Sequence, residues 1–89
     1  MNPYKVFVRV FVEFDENGRM IPRYIKWEDD NVYKISKVLD CTPGFAAKAG
    51  GCGDKYRILV DGTETYLFFE RNASIKGNNI GCWFVERRY

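Results

Sequence analysis

Residues 5–14, KVFVRVFVEF, put Val6, Val8, Val10 and Val12, then Phe14, on one face of an extended chain. β-branched residues at that spacing suit a pleated strand with one buried side. A helix would spread them around its whole circumference. The alternation recurs along the chain and is interrupted by turn chemistry. Asn17-Gly18 ends the first run and marks a hairpin. A second strand is expected over 20–27, with Ile21, Ile25 and Trp27 as its apolar positions. Pro22 has no backbone donor, so this strand should begin at a sheet edge or at a bulge. Asp29-Asp30-Asn31 turns the chain into a third strand over 32–40.

Further on, Tyr56, Ile58 and Val60 alternate with Arg57 and Leu59, and Asp61-Gly62 leads directly into a strand over 63–71. Residues 72–79, NASIKGNN, read as a polar loop. The last strand covers 82–87, where Trp83 and Val85 oppose Cys82 and Phe84. The pattern predicts an all-β chain: a small antiparallel barrel or rolled sheet of five to six strands, SH3-like or related, forming one domain over residues 1–89. A chain of this length buries roughly 60–65% of its unfolded surface, enough for one modest core.

The 14 basic and 12 acidic residues leave a net charge of +2, ordinary globular composition rather than a polycationic tail. Lys5, Arg9 and Glu13 interrupt the apolar N-terminal run, so neither a secretory signal nor a membrane span is expected. A cytoplasmic location follows as the expectation, with the three cysteines reduced.

The chain has no histidine, which removes the usual general base and the commonest metal ligand. Its acids fall mostly in turns, as at Asp15, Glu16, Glu28, Asp29, Asp30 and Asp61, so no catalytic residue is assigned and no enzyme activity is expected. Cys41, Cys52 and Cys82 form no CxxC-type pair, so no metal site and no cofactor are expected. They read as small buried hydrophobes, with Cys52, near Lys48 and Lys55, as a candidate labelling site.

The segment 41–58, CTPGFAAKAGGCGDKYRI, is glycine-rich but lacks the GK[ST] ending of a phosphate loop, and it runs into a strand. Thr42 as an N-cap, Pro43 at the first helical position and Gly50-Gly51 as a C-cap predict a short helical turn in the 42–51 connection. That connection could form the rim of a small-ligand site.

Phe7 and Phe11 fall opposite the valine face, together with Lys5, Arg9 and Glu13. Tyr24 lies between Pro22 and Lys26, and Tyr66 and Phe68 lie between Glu64 and Glu70. Small barrels bind single-stranded nucleic acid with such a mixture, stacking bases on the rings while cations follow the phosphates. The competing reading is a second, minor core filled by the same aromatics. The candidate binding face comprises Arg9, Phe11, Tyr24, Lys26, Lys48, Lys55 and Arg57. The expected function is a non-enzymatic binding module for nucleic acid. The alternative is a protein-interaction or self-association module, as a monomer or weak homodimer.

The stretch GRMIPRYIKWEDDNVYKISKVLD, followed by KYRILVDGTETYLFF and a terminal CWFVE, resembles a group of small uncharacterised bacterial all-β proteins. Its P…W…Y-x-I pattern is also similar to a barrel domain appended to some DNA-repair-associated bacterial proteins. The resemblance runs from Gly18 onward. It implies a bacterial β-barrel in which Pro22, Trp27, Tyr33 and Trp83 serve as core and turn positions, with no catalytic signature.

Overall fold

The computed structural model describes residues 4–46, 52–77 and 79–87, without the side chains of 44–46, 52 and 72–76. Six strands are present: β1 (Tyr4–Phe14), β2 (Met20–Lys26), β3 (Val32–Ala46), β4 (Cys52–Val60), β5 (Thr63–Lys76) and β6 (Asn79–Arg87). They form a closed antiparallel barrel in which each strand pairs with its neighbour in sequence and β6 returns to β1. Closure gives every strand a neighbour on both sides over part of its length, where a rolled but open sheet would leave its two outer strands as edges.

Two strands change partners partway along, and this shapes the barrel. Tyr4–Val8 of β1 pair with β6, whereas Arg9–Phe14 pair with β2. In β3, Val32–Lys34 pair with β2, and residues from Ile35 onward pair with β4. The distal half of the β1–β2 hairpin is thus bonded only to itself along its length. It spreads away from β6 on one side and β3 on the other.

The turns follow local chemistry. The Asp15 Oδ1 accepts hydrogen bonds from the backbone N–H groups of Asn17 at 2.9 Å and Arg19 at 2.8 Å, while Gly18 takes φ +79°. Asp61 and Gly62 both have positive φ, the requirement of a two-residue turn whose twist matches the strands it joins. Pro22 lies beside a register shift: Phe11 opposes Tyr24 and Val12 opposes Pro22, leaving Arg23 as the extra residue. The bulge accommodates a residue that cannot donate to the ladder, and Pro22 itself is fully buried.

Ile25, Ile35, Tyr56, Ile58, Leu67, Phe69 and Trp83 fill the interior, with Val8, Val10 and Val12 packed against them. Phe14 departs from the valine face it continues. It sits at the strand end and is 57% exposed.

Three sequence expectations are revised. Residues 42–46 belong to β3, where Cys41, Thr42 and Pro43 pair with Tyr56, Lys55 and Asp54, so the helical turn is not formed over those residues. The remainder of that assignment, 47–51, lies outside the described residues, and no helix is present among those that are described. Pairing to β4 satisfies Thr42 where a cap would have done so, and a shift after Pro43 absorbs its missing donor. The polar 72–79 segment is mostly strand: β5 continues to Lys76, which pairs with Asn79 across the turn. Finally, Cys41 and Cys82 are exposed rather than core residues. Cys41 lies at the end of the barrel, and Cys82 shares the outward parity of Phe84. The Cys52 side chain is outside the described residues. Among the described residues, no helix is long and apolar enough to cross a membrane.

Candidate functional site

A barrel of six strands is too narrow to enclose a ligand at its waist, where side chains fill it completely. Space opens instead at one end, beneath the self-paired hairpin. A cavity of about 750 Å³ lies there between the hairpin tip (Phe14, Gly18, Arg19, Met20, Ile21, Pro22) and the opposing sheet, with Ile80 of β6 at its edge. From that sheet, Val38 and Cys41 come from β3, Asp54 and Tyr56 from β4, and Phe69 and Arg71 from β5.

Strand parity explains the lining. Asp54 precedes Tyr56 and Ile58 on the inward face of β4, and Arg71 follows Leu67 and Phe69 on the inward face of β5. Trp83 contacts both ring walls, with centroids 5.3 Å from Tyr56 and 4.9 Å from Phe69. The end of the core thus becomes the floor of the cavity.

The polar groups are few and converge. Arg71 Nη2 donates to Asp54 Oδ2 at 2.8 Å. Asp54 is only 6% exposed, and its second oxygen, Oδ1, is fully buried with no hydrogen-bond partner among the described residues. The Tyr56 hydroxyl donates to the Met20 carbonyl at 3.3 Å, reaching across the cavity to the hairpin. It also lies beside the Cys41 thiol. Burial, then the charge Cys41 would carry once ionised and that of Asp54, holds the Tyr56 phenol well above its ordinary pKa. Burial and Asp54 push the Cys41 thiol up as well, although Cys41 as a residue is exposed.

The sequence-derived binding face is divided by the fold. Arg9 and Lys26 are register partners, as are Phe11 and Tyr24, and all four lie on the hairpin's outer surface. Phe11 and Tyr24 meet edge to face at 6.4 Å and remain 52% and 42% exposed. Lys26 Nζ lies 3.7 Å from Asp30. Lys55 and Arg57 sit on β4, three strands from β1 in either direction around the ring and two from β2 by way of β3. Lys55 Nζ stacks 4.3 Å from the Tyr66 ring, and Arg57 is bound to Asp40 and to Glu64. The Asp40 hydrogen bond raises the Arg57 pKa and keeps that guanidinium a committed cation. Lys48 lies outside the described residues.

Sequence reading missed Asp54, Arg71, Tyr56 and Cys41 as one group. The signal was present in the alternation: extending the inward parity of Tyr56 and Ile58 back by one position reaches Asp54, an acid facing a core. Among the described residues, no cluster of three or more metal-ligating side chains occurs. Compared with protein-family models, with curated proteins and with solved structures, the chain matches none.

Proposed function

We propose that this chain is a binding module, not a catalyst, and that its ligand is a small organic molecule held in the open end of the barrel. The observation that carries this reading is the 750 Å³ cavity, mostly apolar in its walls, with the Asp54–Arg71 ion pair and the Tyr56 hydroxyl as its converging polar groups. Small-molecule sites combine an apolar concavity of about 300–1,000 Å³ with a few convergent polar groups. The strands on either side of the 42–51 connection contribute Cys41, Asp54 and Tyr56, whereas the connection itself, read from the sequence as a rim, supplies no lining residue among those described. Fluorescence titration with anilinonaphthalene sulfonate tests the proposal. Saturable enhancement is expected for the native chain and its loss in Val38→Trp, which fills the cavity. Equal enhancement in both would place the dye on the outer surface and overturn the reading.

A second reading is favoured by the exposed Phe11–Tyr24 pair with Arg9 and Lys26 beside it: a stacking platform for single-stranded nucleic acid. Lys34, the exposed register partner of Tyr24 on β3, joins Arg9 and Lys26 there, so log K should fall with log salt with a slope of about −2.1. Fluorescence anisotropy with labelled oligonucleotides checks it; absence of binding at low salt removes it.

A further inference from the structure

The ring of strands leaves a stretch of β1 unpaired on one side, and that edge is complementary to a copy of itself. β1 pairs with β6 only from Tyr4 to Val8, so Arg9–Phe14 have β2 on one side and, among the described residues, no strand on the other. Every second residue of that stretch turns its backbone N–H and C=O away from β2, with no ladder to join. A cleft of about 450 Å³ opens where β1 and β6 part, with Val10 and Phe11 on one bank and Gly81 and Cys82 on the other.

Proteins blunt such edges with lysine, proline or a bulge. β1 has none of these between Arg9 and Phe14, because the bulge of this hairpin is on β2, beside Pro22. Its inward side chains also stop short of burial. Val8, Val10 and Val12 are only partly buried, whereas Ile58, on a strand paired along both sides, is 0% exposed.

The outward side chains select the occupant. Residues 9–13, RVFVE, carry opposite charges at their two ends and Phe11 at their centre. Laid antiparallel to a second copy and centred on Phe11, the stretch sets Arg9 opposite Glu13, Val10 opposite Val12 and Phe11 opposite Phe11. A two-fold axis through the central pair repeats each contact. Directly opposed residues share a face, so the valines of both copies stay on the inward side. A register shifted by two residues opposes Phe11 to a charge and breaks the Arg9–Glu13 pairs. A shift of one residue turns one copy's valines outward.

Local charge favours the same partner. Arg9 opposes Lys26 across the hairpin, a like-charge pair, and forms no ion pair among the described residues. Glu13 accepts from Arg23 through Oε1 at 2.8 Å, and a carboxylate has capacity for a second cation.

We infer that two copies of this chain associate through β1, the Arg9–Glu13 stretch of one pairing antiparallel with that of the other to run one sheet across two barrels. Five paired residues from each copy make a small interface and a weak dimer. The association is independent of what the barrel-end cavity holds.

Sedimentation velocity of the full chain, followed from micromolar to millimolar concentration, should show monomer converting to dimer. Arg9→Glu sets acid against acid across the interface and Glu13→Arg sets base against base, so each variant should dimerise about tenfold or more weakly. Mixing the two variants restores an opposite-charge pair at both ends, and the mixture should recover native association. Both positions are exposed, so the substitutions spare the core. A native chain that stays monomeric overturns the inference, as does dimerisation that is unchanged in the single variants or not restored in the mixture. Amide hydrogen exchange of the native chain gives a check without variants: protection within Arg9–Glu13 should rise with protein concentration. Exchange there that is indifferent to concentration overturns the assignment to β1.

Discussion

Phe68 and Phe84 stack with ring centroids 5.0 Å apart and planes 9° apart on the outward face of the barrel, and both are buried. They belong to a row running across four strands in register: Phe7 opposes Phe84, Phe84 opposes Phe68, and Phe68 opposes Lys55. Lys5 covers the Phe84 ring at 4.8 Å and pairs with Glu70 at 2.8 Å. The row is a small second core outside the barrel, and its residues should differ sharply in weight. Phe84→Ala should cost roughly 3–5 kcal/mol, as for a fully buried aromatic. Phe7→Ser, at a ring 58% exposed, should cost about 1 kcal/mol or less. Urea denaturation midpoints of the two variants check the contrast; equal losses would mean that Phe7 carries the row.

Gly81 marks a close approach between β5 and β6. A Cβ there would meet the Glu70 carbonyl oxygen, and the Phe69 ring at 2.7 Å. Phe69 walls both core and cavity, so the clash cannot be relieved without moving the floor of the site. Gly81→Val should destabilise by about 1–3 kcal/mol and should also weaken dye binding. Thermal melts and dye titration of that variant measure the two effects together.

Alkaline pH should weaken the fold through Cys41 and Tyr56. Both pKa values are raised in the folded chain, chiefly by burial, so the folded state holds these protons more tightly than the unfolded state does. Their contribution is fully present below about pH 8.5 and 10, where free thiols and phenols ionise, and is lost as pH rises beyond those values. The melting temperature should therefore fall between about pH 8 and 10.5, and fall less steeply in the Cys41→Ser, Tyr56→Phe double variant. Identical slopes would show that other groups govern the alkaline limb.

Thiol chemistry gives an independent readout of the same corner. The raised Cys41 pKa lowers its thiolate fraction at neutral pH, so alkylation by iodoacetamide should be slow there. Filling the cavity with a ligand should slow it further, with Cys82 on the outer face as the internal reference. Mass-resolved labelling rates at the two residues decide it; a ligand that slows both equally is not acting at the barrel end.

Much of the barrel was legible because strand pairing leaves a local trace. Val6 to Val12 alternate because one side of β1 is buried, and Gly18 and Asp61-Gly62 carry the φ requirements of their turns. Pro22 announced a bulge through its missing donor. The ends of strands were harder to read. Thr42-Pro43 has the composition of a helix start, yet pairing with Lys55 and Asp54 overrides it. Residues 72–76, NASIK, alternate only through Ala73 and Ile75, a signal outweighed by the turn chemistry of Asn72, Ser74 and Gly77 around them. The site was the least legible part. Asp54 and Arg71 meet only because β4 and β5 are adjacent, and single-strand patterns do not show which polar residues near strand ends face the same interior. The aromatic-basic mixture read as one surface was instead distributed around a closed ring.

The account rests on the barrel end being the place where a ligand is held. The most direct measurement is the map of backbone amide shifts as the chain is titrated with anilinonaphthalene sulfonate. Shifts confined to Tyr56, Val38, Ile21 and their neighbours, abolished by Val38→Trp, are the predicted result. Shifts centred on Arg9, Phe11, Tyr24 and Lys26, or none at the cavity, would contradict it.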